Sequence, residues 1–217
     1  MSDLIIAKAI EFALSETLSA TYHRVMGSRV QRAREILIEE LRTAQIDVGE
    51  AAKDDETVGM MISFAEAVRH NAAFRNLRLI AQVLANKAVT PDARKDDFAM
   101  WADMIAMLLP EEVIVLATIQ RHAETEGAKN MPIDRTHKAI LAATRSDLVG
   151  NKKLCASEEE LQAIGSALLR TGCLIPVVLD GTGMTFSPSY KMKELAKMAR
   201  MQEAADEILV EFGLIKK

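Results

Sequence analysis

Cys173-Leu174-Ile175-Pro176-Val177-Val178-Leu179-Asp180-Gly181-Thr182-Gly183-Met184-Thr185-Phe186-Ser187 carries the reading that decides the fold. Cys173 to Leu179 is short, β-branched and apolar, and Met184 to Ser187 returns in kind. Asp180-Gly181 between them is a strong two-residue hairpin signal. Upstream, Ser157-Glu158-Glu159-Glu160 is a capping-box start. The helix it opens buries Leu161, Ile164, Leu168 and Leu169, and Gly172 ends it. Pro110-Glu111-Glu112 opens an earlier helix, apolar on most sides and therefore central. Ile133 to about Leu148 is a further helix, followed by the loop Val149 to Lys153. Pro188 begins a last helix that runs to about Phe212, with Gly213 closing it. From Leu109 to Tyr190 the order is helix, helix, helix, hairpin.

Before Leu109 the pattern is helical throughout. Leu4 to about Gln45 lacks Pro, and Ile6, Ile10, Leu14, Leu18, Thr21 and Val25 recur at helical spacing. The stripe restarts out of phase at Val30, Ala33, Leu37 and Leu41, so Gly27-Ser28 is a kink or the corner of a helical hairpin. A straight helix here would be about 60 Å long, which calls for a second subunit to cover it. Val48 to Asp55 reads as a loop. Asp54 or Asp55 caps a helix to about His70, with Val58, Met61, Ile62, Ala65 and Val68 on its inner face. Asn71 caps Ala72 to Ala88, with Phe74, Leu77, Ile80 and Leu84 inside. Thr90-Pro91 then starts a helix carrying Phe98, Trp101, Ala102, Ile105 and Leu108.

The composition agrees. Apolar residues make up 49% of the 217-residue chain, yet aromatics only 4%, with 12 Met. Such a core is helix packed on helix. The expected fold is mainly α: a multi-helix N-terminal part, 1–108, possibly dimerising, and a C-terminal part, 109–217, with one short β-hairpin. The net charge of −4 gives no global attraction to nucleic acid or an anionic membrane. Two distant cysteines, Cys155 and Cys173, imply no disulfide framework, and cytoplasm is the expected compartment. Asp3 precedes the first apolar run and Lys8, Glu11 and Glu16 interrupt it, which argues against a secretion signal. No apolar run is long enough to span a bilayer.

Residues 110–190 resemble the bacterial winged-helix regulators of the multiple-antibiotic-resistance and arsenic-resistance types. The resemblance rests on element order and on Leu168-Leu169-Arg170-Thr171-Gly172-Cys173-Leu174-Ile175 followed by the hairpin. It covers about a third of the chain and is a likeness of fold. It implies a helix in the DNA major groove and a wing on phosphate. The charges oppose that use. Glu158, Glu159 and Glu160 occupy the end of the helix that would meet the bases. The wing Leu179 to Gly183 has no Lys or Arg, so phosphate neutralisation is missing. Only Arg170 helps.

The densest cationic run is His23, Arg24, Arg29, Arg32 and Arg34. Arg24, Arg29, Arg32 and Arg170 are the candidate nucleic-acid or anion contacts. The competing reading of the run, which the spacing to Glu35, Glu39 and Glu40 favours, is a solvated helix face. His70, Arg75 and Arg78 near the start of the Ala72 helix form a second anion candidate, against ordinary surface charge. His23, His70, His122 and His137 match no zinc spacing, and no phosphate loop, dinucleotide glycine pattern or serine elbow occurs. Lys152-Lys153 beside Cys155 is a pattern that can lower a thiol pKa, against the more usual reading of a lone Cys in a loop as inert. Met60-Met61, Met100 to Met107 and Met192 to Met201 are core or, where exposed, adaptable partner surface. The expected function is a non-enzymatic interaction or regulatory protein, a homodimer with an unspecified protein partner, without cofactor or metal. The alternative is a DNA-binding transcriptional regulator of winged-helix type.

Overall fold

A computed structural model describes residues 20–51, 53–89, 95–125, 133–151, 154–179 and 183–216. The stripe from Ile6 to Leu18, the Thr90-Pro91 start, the loop 127–132, Lys152-Lys153 and the Asp180-Gly181 turn lie outside the described residues. The chain divides into two compact units, Met1–Met107 and Leu108–Lys217. It is mainly helical with one two-stranded antiparallel hairpin near its C-terminus. No helix among the described residues is long and apolar enough to cross a membrane.

The first unit contains α1 (Ala20–Thr43), α2 (Val48–Ala51), α3 (Asp55–Arg69), α4 (Phe74–Ala88) and α5 (Lys95–Ala106). Helix α1 runs through Gly27-Ser28 without a corner, so the helical-hairpin alternative does not hold there. Val48–Ala51 is one helical turn, not loop, because the Asp47 carboxylate accepts from the Gly49 and Glu50 N–H groups. Asp54 caps α3 as expected, accepting from Thr57 N at 2.9 Å. The inner face of α3 is rotated from the expected one. Thr57, Met60, Met61, Phe64, Ala65 and Val68 are buried and Ile62 is exposed. Helix α4 starts at Phe74, two residues late. Asn71 does not cap it but takes a left-handed φ of 61°, which Asn tolerates. Phe74 is exposed, whereas Leu77, Ile80 and Leu84 fill the core with Leu37, Leu41, Phe98 and Ile105.

The second unit is built around α6 (Pro110–Ala123), whose residues from Glu112 to Gln120 are all buried. Against it pack α7 (Ile133–Arg145), α8 (Glu158–Leu168), β2 (Gly183–Pro188), α9 (Tyr190–Met198) and α10 (Met201–Glu211). After Arg145 the chain winds on as π-helical turns, Ser146–Asn151, which take in Val149 to Asn151 of the expected loop. Ser157 caps α8 by accepting from Glu160 N, and Gly172 ends the helix at a left-handed φ of 68°. β1 (Leu174–Leu179) then pairs with β2 in the register Leu174↔Pro188 to Leu179↔Gly183. Ser189 ties the base of the hairpin, its hydroxyl donating to Gly172 O at 2.6 Å and accepting from Met192 N.

The single last helix expected from the sequence is two. α9 stops at Met198, Ala199 is extended, and α10 restarts at Met201 with no side-chain cap. No Gly or Pro marks the break. The bend keeps Leu195, Ala199, Met201, Ala205 and Ile208 all buried, which outweighs two residues of helix continuity.

The hairpin lies on α8 through a close approach. The Phe186 ring sits where a Cβ on Gly165 would stand, and Gln162 Nε2 donates to Met184 O at 2.9 Å. Gly in a helix interior costs about 1 kcal/mol relative to Ala, so packing sets the choice here. Gly165→Ala should therefore lower stability, against helix propensity, by about 1–3 kcal/mol. Urea unfolding followed by far-UV circular dichroism measures it, and a gain in stability would contradict the contact.

Candidate interaction surface

Glu112 lies in the first turn of α6, and Leu109 N–H donates to its Oε2 at 2.9 Å. Its side chain is only 4% exposed. The guanidinium of Arg170, from the turn that ends α8, meets it in a bidentate pair at 2.5 and 2.7 Å. Arg170 also donates to Ala167 O at 2.8 Å. Burial by itself would raise the Glu112 pKa. The Arg170 pair and the Leu109 N–H outweigh it and hold the carboxyl below its ordinary range. The same pair raises the pKa of Arg170. The residue expected to help hold phosphate is thus directed at an internal carboxylate.

The rest of this face carries little positive charge. In the first turn of α8, Glu158 pairs with Arg145 at 2.7 Å, and Glu160 accepts from Ala156 N at 2.6 Å. Lys191, just past the hairpin, donates to Thr171 O at 2.9 Å. The hairpin itself presents aliphatic residues. Val178 is 84% exposed, opposite Met184 in register, and Ile175 and Tyr190 are exposed as well. Pro176, mid-strand in β1, cannot donate a ladder hydrogen bond.

The other candidates fall in different places. The backbone of Arg24 is in α1, but its side chain lies outside the described residues. Arg29 is internal to the first unit. Its Nε donates to Val68 O at 3.0 Å, its Nη2 donates to Ala72 O, and it stands 5.0 Å over the Phe74 ring. It satisfies carbonyls at the end of α3, where a cation also suits the helix dipole. Arg32 pairs with Glu35 at 3.4 Å on an exposed face, as the solvated-face reading holds. Arg78 reaches Glu39 and the buried Glu40, so it too is committed internally.

Among the described residues no three His, Cys, Asp or Glu gather as metal ligands. Both cysteines are buried. Burial, with Glu160 and Glu111, pushes the Cys155 thiol up to about 11, opposite to the lowering that neighbouring lysines can cause. Burial raises Cys173 as well. Of the Met-rich segments, Met100 and Met107 are exposed, whereas Met60, Met61, Met192 and Met201 are core.

A cleft of about 250 Å³ opens between α6 and the α9–α10 break, lined by Gln120, Glu124, Ala196, Ala199 and Gln202 among others. Periodicity could not reveal it, because nothing local announces the break.

No protein-family model matches the chain, and neither a curated protein nor a solved structure matches it.

Two outcomes test this geometry. Glu112→Gln should cost about 1–3 kcal/mol near neutral pH, less than a fully buried pair because Arg170 can turn to water. Since the folded pKa is depressed, the carboxylate's contribution is present above the ordinary value near 4.5 and fades as pH falls below it. The gap between wild type and variant in urea titrations should therefore close on acidification, and a gap that widens would exclude the assignment. Separately, a chromogenic disulfide reagent at about pH 8 should label native Cys155 and Cys173 far more slowly than the unfolded chain.

Proposed function

We propose that this chain is a non-enzymatic interaction and regulatory protein. Its C-terminal half, winged-helix-like in element order, contacts another protein through the hairpin and the face of α8. The observation that carries this reading is the bidentate Arg170–Glu112 pair beneath a hairpin whose exposed side chains are Val178, Met184 and Ile175. A polyanion-binding wing needs uncompensated Lys or Arg to release counterions. Exposed aliphatic side chains on the hairpin, with Val178 and Met184 paired on one face, suit a protein surface instead. Self-association through the N-terminal helix belongs to the same proposal. Burial along α1 sets in at Ala33, while Gly27, Ser28 and Gln31 before it are exposed.

The second reading, a DNA-binding regulator of winged-helix type, draws on the helix–helix–helix–hairpin order and on exposed Arg135 and Lys138 of α7. Gel mobility of a mixed-sequence duplex separates the two. No retarded band is expected at about 50 mM salt, where phosphate contacts are strongest. A band that appears there and vanishes at about 200 mM salt would favour the DNA-binding reading and refute the first. Light scattering across a concentration series should give a dimer mass; a strictly monomeric one removes the self-association part.

A further inference from the structure

The cleft beside the α9–α10 break contains two buried acceptors in want of donors. Gln120 is 93% buried, being 7% exposed. Its Nε2 donates to Glu124 Oε1, one turn further along α6. Gln202, in the first turn of α10, repeats the arrangement, its Nε2 donating to Asp206 Oδ1 at 2.9 Å. In each amide the carboxylate one turn on takes the NH2 group. That fixes which end is nitrogen, since a carboxylate accepts and cannot donate. Each carbonyl oxygen is therefore turned the other way, and both Oε1 atoms are buried with no hydrogen-bond partner. Both glutamines line the same cleft.

An unmet buried acceptor is costly, and two around one cleft, one from each side, double the demand for a donor. The guanidiniums at the rim do not meet it. Arg121 is held by Asp147, and Arg200 pairs with Glu203 at 3.4 Å. Among the described side chains lining the cleft, the buried atoms without a partner are both acceptors. Glu124 supplies negative charge beside it, and Ala117, Ala196, Ala199 and Met201 add apolar wall. The space exceeds that of a single water, which needs roughly 10–15 Å³ on this measure.

We propose that the cleft is a binding site for a small aliphatic primary amine. Its ammonium donates to Gln120 Oε1 and Gln202 Oε1 with Glu124 as counter-charge, and its hydrocarbon part lies along the alanines and Met201. An ammonium offers three donors, which matches two amide oxygens and one carboxylate. Both oxygens are closed to water, so the amine reaches them when the Gln120 and Gln202 amides turn toward the cleft. Occupancy would bridge α6 to the break.

The test uses the full chain and n-butylamine, with butyltrimethylammonium as a control of equal charge and no N–H, and butyrate as a control of opposite charge. Butylamine should raise the melting temperature saturably and shift the side-chain amide NMR signals of Gln120 and Gln202. Neither control should do so. Gln202→Met removes one orphan acceptor at similar volume, so it should leave the empty protein as stable as before or more so. The same change should weaken butylamine binding about tenfold or more, as expected for a charge-assisted hydrogen bond. Gln120→Met provides the second variant. Equal response to the quaternary control, no response to butylamine, or loss of stability in Gln202→Met without loss of binding would each overturn the proposal.

Discussion

The second unit turns on one buried carboxylate. Glu112 has to answer for two things at once: an N–H left over at the start of α6, and the guanidinium that closes α8. A helix start has unsatisfied donors by geometry, and Glu112 satisfies one while its remaining capacity fixes Arg170. Desolvating a carboxylate to 4% exposure is costly without such partners. The pair therefore stands or falls with the placement of α6 against the end of α8. Everything after α8 inherits that placement, because Gly172 turns the chain directly from Arg170 into the hairpin.

The hairpin is then set by contact instead of charge. Phe186 occupies the space that any side chain at position 165 would need, and the Gln162 amide holds the adjacent strand. Helices followed by a hairpin leave both proposed uses, protein contact and nucleic-acid binding, open, whereas the chemistry at the face is a neutralised arginine, two acid-rich helix turns and exposed aliphatics. Fold alone does not choose between such uses; the sign and availability of the charges bear on it more directly.

Arginine behaves alike in the two units. Arg29, Arg78 and Arg170 all looked like surface cations in the sequence, and all are directed at internal acceptors. Arg29 takes carbonyls at the end of α3, Arg78 takes Glu39 and Glu40, and Arg170 takes Glu112. A guanidinium has a long stem and a rigid fork of donors, so it can close a packing problem many residues away. Its partner is 38 to 58 residues distant in these cases. Local spacing to Glu35 identified the partner of Arg32, where the pairing is one turn along the same helix.

Local chemistry made much of the architecture legible. Ser157 as a cap, Gly172 as a left-handed stop, the central character of α6 and the two strands about Asp180-Gly181 follow from propensities and periods that act over a few residues. The rotated face of α3, the late start of α4 and the break at Ala199–Arg200 did not follow, because neighbouring helices decide which side is covered and whether a helix may stop. The amide pair of Gln120 and Gln202, 82 positions apart, is of this second kind. By itself the sequence determined that the chain is mainly helical and which segments carry the hairpin and most of the helices, since hydrogen-bond closure and side-chain period are local. Only the tertiary structure decided which charges are neutralised and which acceptors are left unmet, since burial is a property of the assembled core.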